Sequence, residues 1–371
     1  MSKTFPAITT LVGTMVGAGI LAIPYAVAKS GFFIGVIIMA LVALLMILIY
    51  LYLGEISLRT KEFHQVTGLA GKYLGKKGKY WMFAATALGI YAAIIAYLIA
   101  EGESLSILLF SHASYSLHFS IAFWLLMSIL TYFGSKTFRK GEMLGFFLII
   151  FTIISIILLY FSKINISNLS YISLPNFFSP FGVILFAFLG FSAIPEVERV
   201  LGKEKRKIRT VVISSVLFCF VVYLLFLLIV LGFKGPSSPE IATLALGKPF
   251  ILLGMVTMFM AYLAVNNAMV HTFQYDLNKP HFISWLLTIL VPLFFIILLN
   301  LTKTAAFSTI ISIGGVLSGG LTAILILFMV PKAKKLGNAH PYYSIKYSKT
   351  LAIIISIIFA AVALLEIYKL F

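Results

Sequence analysis

Acidic residues are scarce in this chain, and their scarcity limits the chemistry it can perform. The 371 residues include 11 aspartates and glutamates, and the single aspartate is Asp276. The six histidines are scattered without the spacing of a metal site. Enzymes that use carboxylates or metals need these groups in clusters. The sequence therefore argues against an enzyme and predicts no metal centre and no cofactor.

Cysteine is almost absent as well. Cys219 is the only cysteine, so the chain cannot form an intrachain disulfide. A lone cysteine in an apolar segment does not indicate the redox compartment.

Charged residues make up only 11% of the chain, whereas a soluble domain of this size carries about 25%. Hydrophobic residues make up 61%, and the mean hydropathy is +1.10. Eleven apolar stretches are long enough to cross a bilayer as helices. They lie near residues 6–28, 32–54, 81–108, 119–134, 142–162, 180–200, 211–232, 249–275, 282–301, 306–330 and 351–368. We predict an all-α integral membrane protein with 11 transmembrane helices in a single domain, residues 1–371.

The formal net charge of +17 is unevenly distributed along the chain. If the N-terminus lies inside, 22 of the 28 basic residues fall in the N-terminal segment and the inside loops, for example Lys136 and Arg139. Such a bias is typical of a multi-pass protein of the cell membrane with a cytoplasmic N-terminus. The charge thus orients the protein and does not indicate a nucleic-acid partner. The basic stretch 59–80 has the spacing of an amphipathic helix at the inner surface.

The first apolar stretch is interrupted by glycine and proline. Gly13, Gly17, Gly19 and Pro24 lie where a continuous helix is expected. Pro6, Gly13, Gly17 and Gly19 also interrupt the continuous apolar core that a signal peptide needs, so we favour a membrane span over a signal peptide for residues 6–28. Lipid cannot satisfy freed backbone groups, so an unwound stretch persists only inside protein or beside a cavity. Gly13 and Gly17 alternatively have the spacing that allows close helix packing.

A second interruption lies five helices later, at residues 188–196, where glycine, serine and proline again break an apolar run. An odd number of helices per repeat makes the second copy enter the membrane from the opposite face. We therefore predict inverted repeats over about residues 5–162 and 179–330, with residues 351–368 as an extra helix. Interrupted segments at matching positions indicate a binding site near the middle of the membrane.

These motifs resemble those of a known family. Residues 13–24, followed by Gly31 and Phe32, are similar to the first-helix motif of the amino acid/auxin permease family, and the bacterial aromatic and hydroxy amino acid permeases are the nearest group. Residues 74–79 and 190–195 resemble the same family and the wider amino acid, polyamine and organocation superfamily. The resemblance implies a LeuT-type fold of five plus five inverted helices, with helices 1 and 6 broken. It also implies ion-coupled uptake of amino acids, neutral or aromatic.

The chemistry of the breaks fits an amino acid substrate. Unpaired N–H groups near Ala18, Gly19 and Ile20 suit a carboxylate, and freed carbonyls before each break suit an ammonium group. Phe186, Phe188 and Phe191 would surround a side chain. We predict that the substrate-binding residues are Thr14, Met15, Gly17, Ala18, Gly19, Phe186, Phe188, Leu189, Gly190 and Ser192.

The coupling ion stays open between H⁺ and Na⁺. Glu101 and Glu103 lie in the third helix, where a protonatable carboxyl group suits proton symport, although both could instead be hydrated residues at the outer mouth. The family draws sodium ligands from helix 8, where this chain has Asn266, with the Gly13 and Val16 carbonyls opposite. Small residues recur every three or four positions from 85 to 100 and mark the packed face of the third helix. We favour proton coupling.

Other classes of membrane protein remain as alternatives. A channel would need a ring of carbonyls or charges, usually built by an oligomer, and an enzyme would need a catalytic cluster. The predicted partners are a small amino acid and the lipid bilayer, with no nucleic acid and no obligate protein partner. The sequence does not fix which amino acid is carried.

Overall fold

The computed structural model describes residues 3–133, 138–302 and 306–368, and it is helical throughout these ranges apart from loops and turns. Lys136, which contributed to the orientation argument, lies outside the described residues. The α-helices are α1 (Thr4–Met15), α2 (Ala18–Ala28), α3 (Phe32–Leu58), α4 (Val66–Phe110), α5 (Ser116–Phe133), α6 (Phe138–Tyr160), α7 (Phe181–Ala187), α8 (Ala193–Leu201), α9 (Ile208–Lys234), α10 (Lys248–His271), α11 (His281–Leu301), α12 (Phe307–Ile313), α13 (Gly320–Leu336) and α14 (Lys349–Tyr368).

Most of these helices are long and apolar because a helix satisfies its own backbone hydrogen bonds in lipid. Within the described ranges, nine helical stretches are long and apolar enough to cross a membrane, and the bent pair of α1 and α2 makes a tenth. The predicted sixth span corresponds to α7 and α8, which have 7 and 9 residues. The predicted number of 11 spans therefore stays a prediction.

The first interruption is confined to Val16 and Gly17. Val16 is extended, with φ −83° and ψ 94°, and Gly17 has φ −145° and ψ −139°. The axes of α1 and α2 differ by 52° at this point. Gly13 lies inside α1, and Pro24 lies inside α2. The break is thus shorter than the glycine and proline pattern indicates.

The second interruption separates α7 from α8 over residues 188–192. The two breaks face each other, because α1 packs against α8 and α2 packs against α7. A Cβ added to Gly19 would lie only 2.5 Å from the Cα atom of Ala187, so glycine permits this close approach. A Cβ on Gly202, which follows α8, would lie 3.2 Å from the Lys3 ammonium beside the start of α1. The two broken segments are therefore antiparallel.

Two further elements depart from simple helices. The predicted third span and the amphipathic segment before it form one element, α4, with a kink at Gly75, whose φ is +76°. The predicted tenth span is α12 and α13 joined by a π-helical turn at Gly314–Gly319. α13 continues to Leu336, beyond the predicted end at residue 330.

We call the side of the bundle at which α1 begins the N-terminal face. Residues 337–348, which join α13 to α14, run across this face, and we call them the strap. The N–H groups of Asn338 and Ala339 donate to the Arg59 carbonyl at 3.0 and 3.1 Å. The Tyr343 hydroxyl donates to the Leu51 carbonyl at 2.6 Å. The strap thereby ties the end of α3 to α13 and α14.

Candidate functional site

A cavity of about 70 Å³ lies between the two breaks. This volume is several times the roughly 10–15 Å³ that a single water needs. The lining residues come from the breaks and from α4, α10 and α13. They are Thr14, Met15, Gly17, Ala18, Gly19, Thr86, Gly89, Ile90, Ala93, Tyr97, Phe186, Leu189, Gly190, Phe191, Ser192, Val265, Ser318 and Thr322.

Nine of the ten residues predicted to bind substrate line this cavity, and Phe188 does not. The Phe188 side chain is fully buried in the core, and its ring centroid lies 5.1 Å from that of Tyr223. The ring cannot form part of the apolar wall, which Phe186, Leu189 and Phe191 supply instead.

Buried tyrosine hydroxyls from α3 and α9 bind the carbonyls that the breaks release. The Tyr223 hydroxyl lies 2.9 Å from the Met15 carbonyl and 2.7 Å from the Ala187 carbonyl. The Tyr50 hydroxyl donates to the Phe188 carbonyl. The sequence had indicated that the carbonyls before each break are free to accept hydrogen bonds. The Met15 and Phe188 carbonyls are instead already bound by tyrosine hydroxyls. Each carbonyl oxygen still has a second lone pair.

The start of α2 supplies hydrogen-bond donors at the opposite side of the first break. The first four N–H groups of a helix have no partner within it, and Ala18 and Gly19 occupy the first turn of α2. Tyr97 of α4 packs directly against Gly17, where a Cβ would overlap its hydroxyl oxygen. An anionic group in the cavity would thus meet the positive end of the α2 dipole and the Tyr97 hydroxyl.

The wall opposite the breaks was not identified as a binding surface from the sequence. It consists of Thr86, Gly89, Ile90, Ala93 and Tyr97 of α4, Val265 of α10, Ser318 of the π-helical turn and Thr322 of α13. The spacing of small residues did place Gly89 and Ala93 on the packed face of α4. Nothing in the sequence indicated that α13 completes the cavity, because helices distant along the chain meet there.

A larger cavity of about 420 Å³ lies between the central cavity and the N-terminal face, and we call it the vestibule. Thr14 and Ser192 line both cavities, so the two adjoin at the breaks. Glu196 lies in the vestibule wall and pairs with Arg199 at 2.5 Å. The Gln65 amide donates to Glu196 at 2.9 Å. The vestibule thus brings polar and charged side chains next to the central cavity.

The predicted sodium ligands are not brought together. Gly13 and Val16 line a cavity of about 30 Å³ with Ala261 and Ala264 of α10. Asn266 follows Ala264 by two residues, which is about 200° around the helix. It therefore lies on a different face of α10 from Ala264, which lines the small cavity. Its side-chain amide is fully buried and faces the Thr131 hydroxyl at 3.4 Å.

The hydroxyl in the small cavity belongs to Thr257 of α10. It donates to the Gly254 carbonyl at 2.7 Å. The described side chains that line this cavity therefore offer few oxygen atoms to a hard cation.

The two glutamates of α4 have different surroundings. Glu101 is only 1% exposed, and its Oε1 atom has no hydrogen-bond partner. Glu103 is half-buried. Glu101 is therefore not a hydrated residue at the mouth, and it lies one helical turn from Tyr97 on the same face of α4.

Across the described ranges, no group of three or more histidine, cysteine, aspartate or glutamate side chains could hold a metal ion. The chemistry of the central cavity is instead that of main-chain dipoles, hydroxyl groups and apolar walls.

Two solved structures have a similar fold. MhsT in complex with L-phenylalanine superimposes with a TM-score of 0.70 over 99% of this chain and 98% of that chain, at 13% identity. The manganese transporter of Eremococcus coleocola gives a TM-score of 0.70 over 99% of this chain and 86% of that chain, at 14% identity. The likeness confirms the predicted LeuT-type fold with interrupted helices.

Two relatives are similar in sequence. Glutamine transporter 2 of Aliivibrio fischeri is 26% identical over 62% of this chain, and Tyrosine-specific transport system 1 of Haemophilus influenzae is 28% identical over 59%. The matches span 61% and 56% of the lengths of these relatives.

The sequence also matches a family profile that includes both breaks. This profile is that of the tryptophan/tyrosine permease family, and it covers residues 1–237. It bears out the resemblance to aromatic amino acid permeases, while the name amino acid/auxin permease stays a prediction. The chain belongs to the tryptophan/tyrosine permease family.

Proposed function

We propose that this protein is a secondary active transporter that carries a neutral or aromatic amino acid across the cell membrane. The observation that carries the proposal is the cavity between two facing helix breaks, which adjoins a polar vestibule. The relatives named as glutamine and tyrosine transporters support the same conclusion. Membership of a permease family favours a carrier over an enzyme or a channel.

The zwitterionic part of the substrate would bind at the breaks. Its carboxylate would accept hydrogen bonds from the first-turn N–H groups of α2 and from the Tyr97 hydroxyl. Its ammonium group would donate to break carbonyls such as those of Thr14 and Leu189. Ser192 lines both cavities and would bind the substrate as it leaves towards the vestibule. This arrangement needs no buried charged side chain.

Proton coupling is the form of energy supply that we propose. The buried Glu101 carboxyl group, with an unpartnered oxygen, supports it, since ionisable groups at membrane depth are costly and functional. Sodium coupling is the alternative, with the Gly13 and Val16 carbonyls as ligands. Among the described residues that line that small cavity, only Thr257 has a side-chain oxygen atom, and this favours the proton.

Alternating access would follow from movement of the broken segments. We propose that the N-terminus is cytoplasmic, in accordance with the distribution of basic residues. The vestibule then faces the cytoplasm, and closing it requires α1 and α8 to approach α10. The proposed inverted repeats, residues 5–162 and 179–330, would make the outward-facing state the counterpart of this one.

Uptake by proteoliposomes tests the proposal. Purified protein is reconstituted, and a panel of labelled amino acids is supplied with a proton gradient or a sodium gradient imposed separately. We expect saturable accumulation of at least one neutral or aromatic amino acid, driven by the proton gradient. Accumulation driven only by the sodium gradient would show that the coupling ion is Na⁺ and not H⁺. Conductance without saturation would indicate a channel.

A further inference from the structure

Hydroxyl groups gather at the side of the central cavity formed by α4 and α13. Thr86, Ser318 and Thr322 all line the cavity there. Ser318 lies so close to α4 that a Cβ added to Gly89 would overlap its Oγ atom. The apolar Leu189 side chain lies beside them, because a Cβ on Gly319 would lie 2.8 Å from its Cδ2 atom.

Several buried hydroxyls lack a hydrogen-bond partner, among them those of Thr67 and Ser215, but among the described residues that line the central cavity only Thr322 has such a hydroxyl. Thr86 donates to the Met82 carbonyl at 2.8 Å, and Thr288 of α11 donates to the Ser284 carbonyl at 2.8 Å. Both bonds reach four residues back, as is usual for threonine in a helix. Thr322 is 1% exposed, yet its Oγ1 atom has no hydrogen-bond partner.

The π-helical turn explains why Thr322 lacks the usual bond. Four residues before Thr322 is Ser318, which lies in the turn Gly314–Gly319. The main chain there follows a wider helix, so its carbonyls do not have the α-helical position. Such turns are frequent at functional sites. The turn also packs closely on α7, since a Cβ on Gly315 would lie 2.9 Å from the Phe186 nitrogen.

We propose that Thr322 is a specificity-determining residue that binds a polar group on the substrate's side chain. The inference rests on the proposed function and narrows the substrate class to amino acids whose side chain ends in a hydroxyl or carboxamide group. Such a group satisfies the unpartnered Thr322 hydroxyl, with Thr86 and Ser318 as further partners. An apolar side chain of the same shape leaves the Thr322 hydroxyl unpaired, and a site built for hydrogen bonding rejects such a side chain strongly.

Matched pairs of amino acids test this inference, because the members of a pair differ in little but polarity. The pairs are tyrosine and phenylalanine, threonine and valine, and glutamine and methionine. Each competes for uptake of the labelled substrate in proteoliposomes. In the pair whose size fits, we expect the polar member to compete at a concentration at least about tenfold lower.

Two substitutions assign the preference to one hydroxyl. Thr322→Val replaces the hydroxyl with a methyl group, so the two members of a pair should then compete at about equal concentrations. Thr322→Ser keeps the hydroxyl and should retain the preference for the polar member. Thr288→Val removes a buried hydroxyl outside the cavity and should leave the preference unchanged. If Thr322→Val does not fold, Thr322→Ala removes the same hydroxyl with less bulk and decides the same comparison.

Two outcomes would overturn the inference alone. These are uptake with no polar preference in any pair, and a polar preference that survives loss of the Thr322 hydroxyl in folded protein. An absence of uptake for every amino acid tested would instead overturn the proposed function, and this inference with it.

Discussion

At the residue scale, the broken helices are stabilised by tyrosines that belong to unbroken ones. Tyr223 of α9 bridges the Met15 and Ala187 carbonyls, and Tyr50 of α3 binds the Phe188 carbonyl. All of these groups are in the protein core, where an unsatisfied carbonyl costs about 1–3 kcal/mol. The tyrosines therefore make the two breaks compatible with a membrane interior.

Replacing Tyr223 with phenylalanine should weaken this arrangement. The Tyr223→Phe variant leaves the Met15 and Ala187 carbonyls without their shared donor, so we expect a loss of about 1–3 kcal/mol in stability. The thermal unfolding midpoint in detergent micelles measures the loss. Tyr342→Phe, at a tyrosine that is 62% exposed, is the matched control and should leave the midpoint unchanged. Equal midpoints for both variants would contradict this role.

Glu101 should act in coupling rather than in folding. Glu101→Gln keeps the shape of the side chain but cannot exchange a proton at that position. We expect proton-driven accumulation to fall by at least about tenfold, which equals about 1.4 kcal/mol, while counterflow exchange of substrate is retained. Glu103→Gln, at a half-buried carboxyl, is the comparison. Equal loss of accumulation and exchange in Glu101→Gln would count against coupling by Glu101.

At the scale of elements, the site depends on how closely the two broken segments approach. α2 and α7 approach each other at Gly19 and Ala187, where a Cβ on Gly19 would meet the Ala187 main chain. Well-packed interiors tolerate added volume poorly. The distance between α2 and α7, and with it the shape of the cavity, is therefore set by the absence of a side chain at Gly19.

The Gly19→Ala variant should disrupt the site. The added Cβ would lie 2.5 Å from the Ala187 Cα atom, which is main chain and cannot rotate away. Overpacking of this kind costs about 1–3 kcal/mol, and we expect substrate affinity in uptake assays to fall as α2 is displaced. Gly320→Ala in α13 has room, since its nearest neighbour is 3.4 Å away, and serves as the control. Unchanged uptake by Gly19→Ala would contradict the role of this contact.

One buried carboxylate of α3 accepts several of the hydrogen bonds that hold the strap. Glu55 is 1% exposed and accepts from Arg59 at 2.9 Å and Lys334 at 3.1 Å. It also accepts from the Ser344 hydroxyl and the Ile345 N–H, each at 2.8 Å. Four donors from three segments thus meet at one side chain.

Glu55→Gln should release the strap. A neutral amide provides one acceptor oxygen instead of two, so we expect trypsin to cleave after Lys346 at least about tenfold faster, a change of about 1.4 kcal/mol. Glu62→Gln is the control, since Glu62 is exposed and its pKa is lowered to about 2 by a hydrogen bond from Lys72. Exposed pairs contribute little to stability. Equal cleavage rates would show that Glu55 does not hold the strap.

The positions of the two breaks were predictable from the sequence. The hydrogen-bond donors that bind the carbonyls at the breaks were not. Glycine and proline in apolar runs located both interruptions, since lipid tolerates broken backbone only at special sites. Tyr223 is 208 residues from Met15, and nothing in the apolar run of α9 distinguishes it as a donor to a distant carbonyl. The π-helical turn and the Thr322 hydroxyl likewise depend on packing between remote helices.

At the scale of the whole molecule, the vestibule lies on the side of the central cavity that faces the N-terminal face. The two cavities adjoin at Thr14 and Ser192. The LeuT-type fold could be predicted from the sequence, and the cytoplasmic N-terminus stays a prediction. Which face is accessible could not be predicted, because two conformations of one sequence differ only in the packing of the same helices.

The most direct test of the account asks whether substrate occupies the space between the breaks. Ser192→Cys is introduced into a Cys219→Ala background, which removes the only native cysteine. The rate of modification by a charged methanethiosulfonate reagent is then measured with and without the transported amino acid. At ten times its dissociation constant, the amino acid should slow modification about tenfold, since only unoccupied protein reacts. The opposite enantiomer of the amino acid should not slow it. Modification at the same rate in both conditions would contradict a binding site at the breaks.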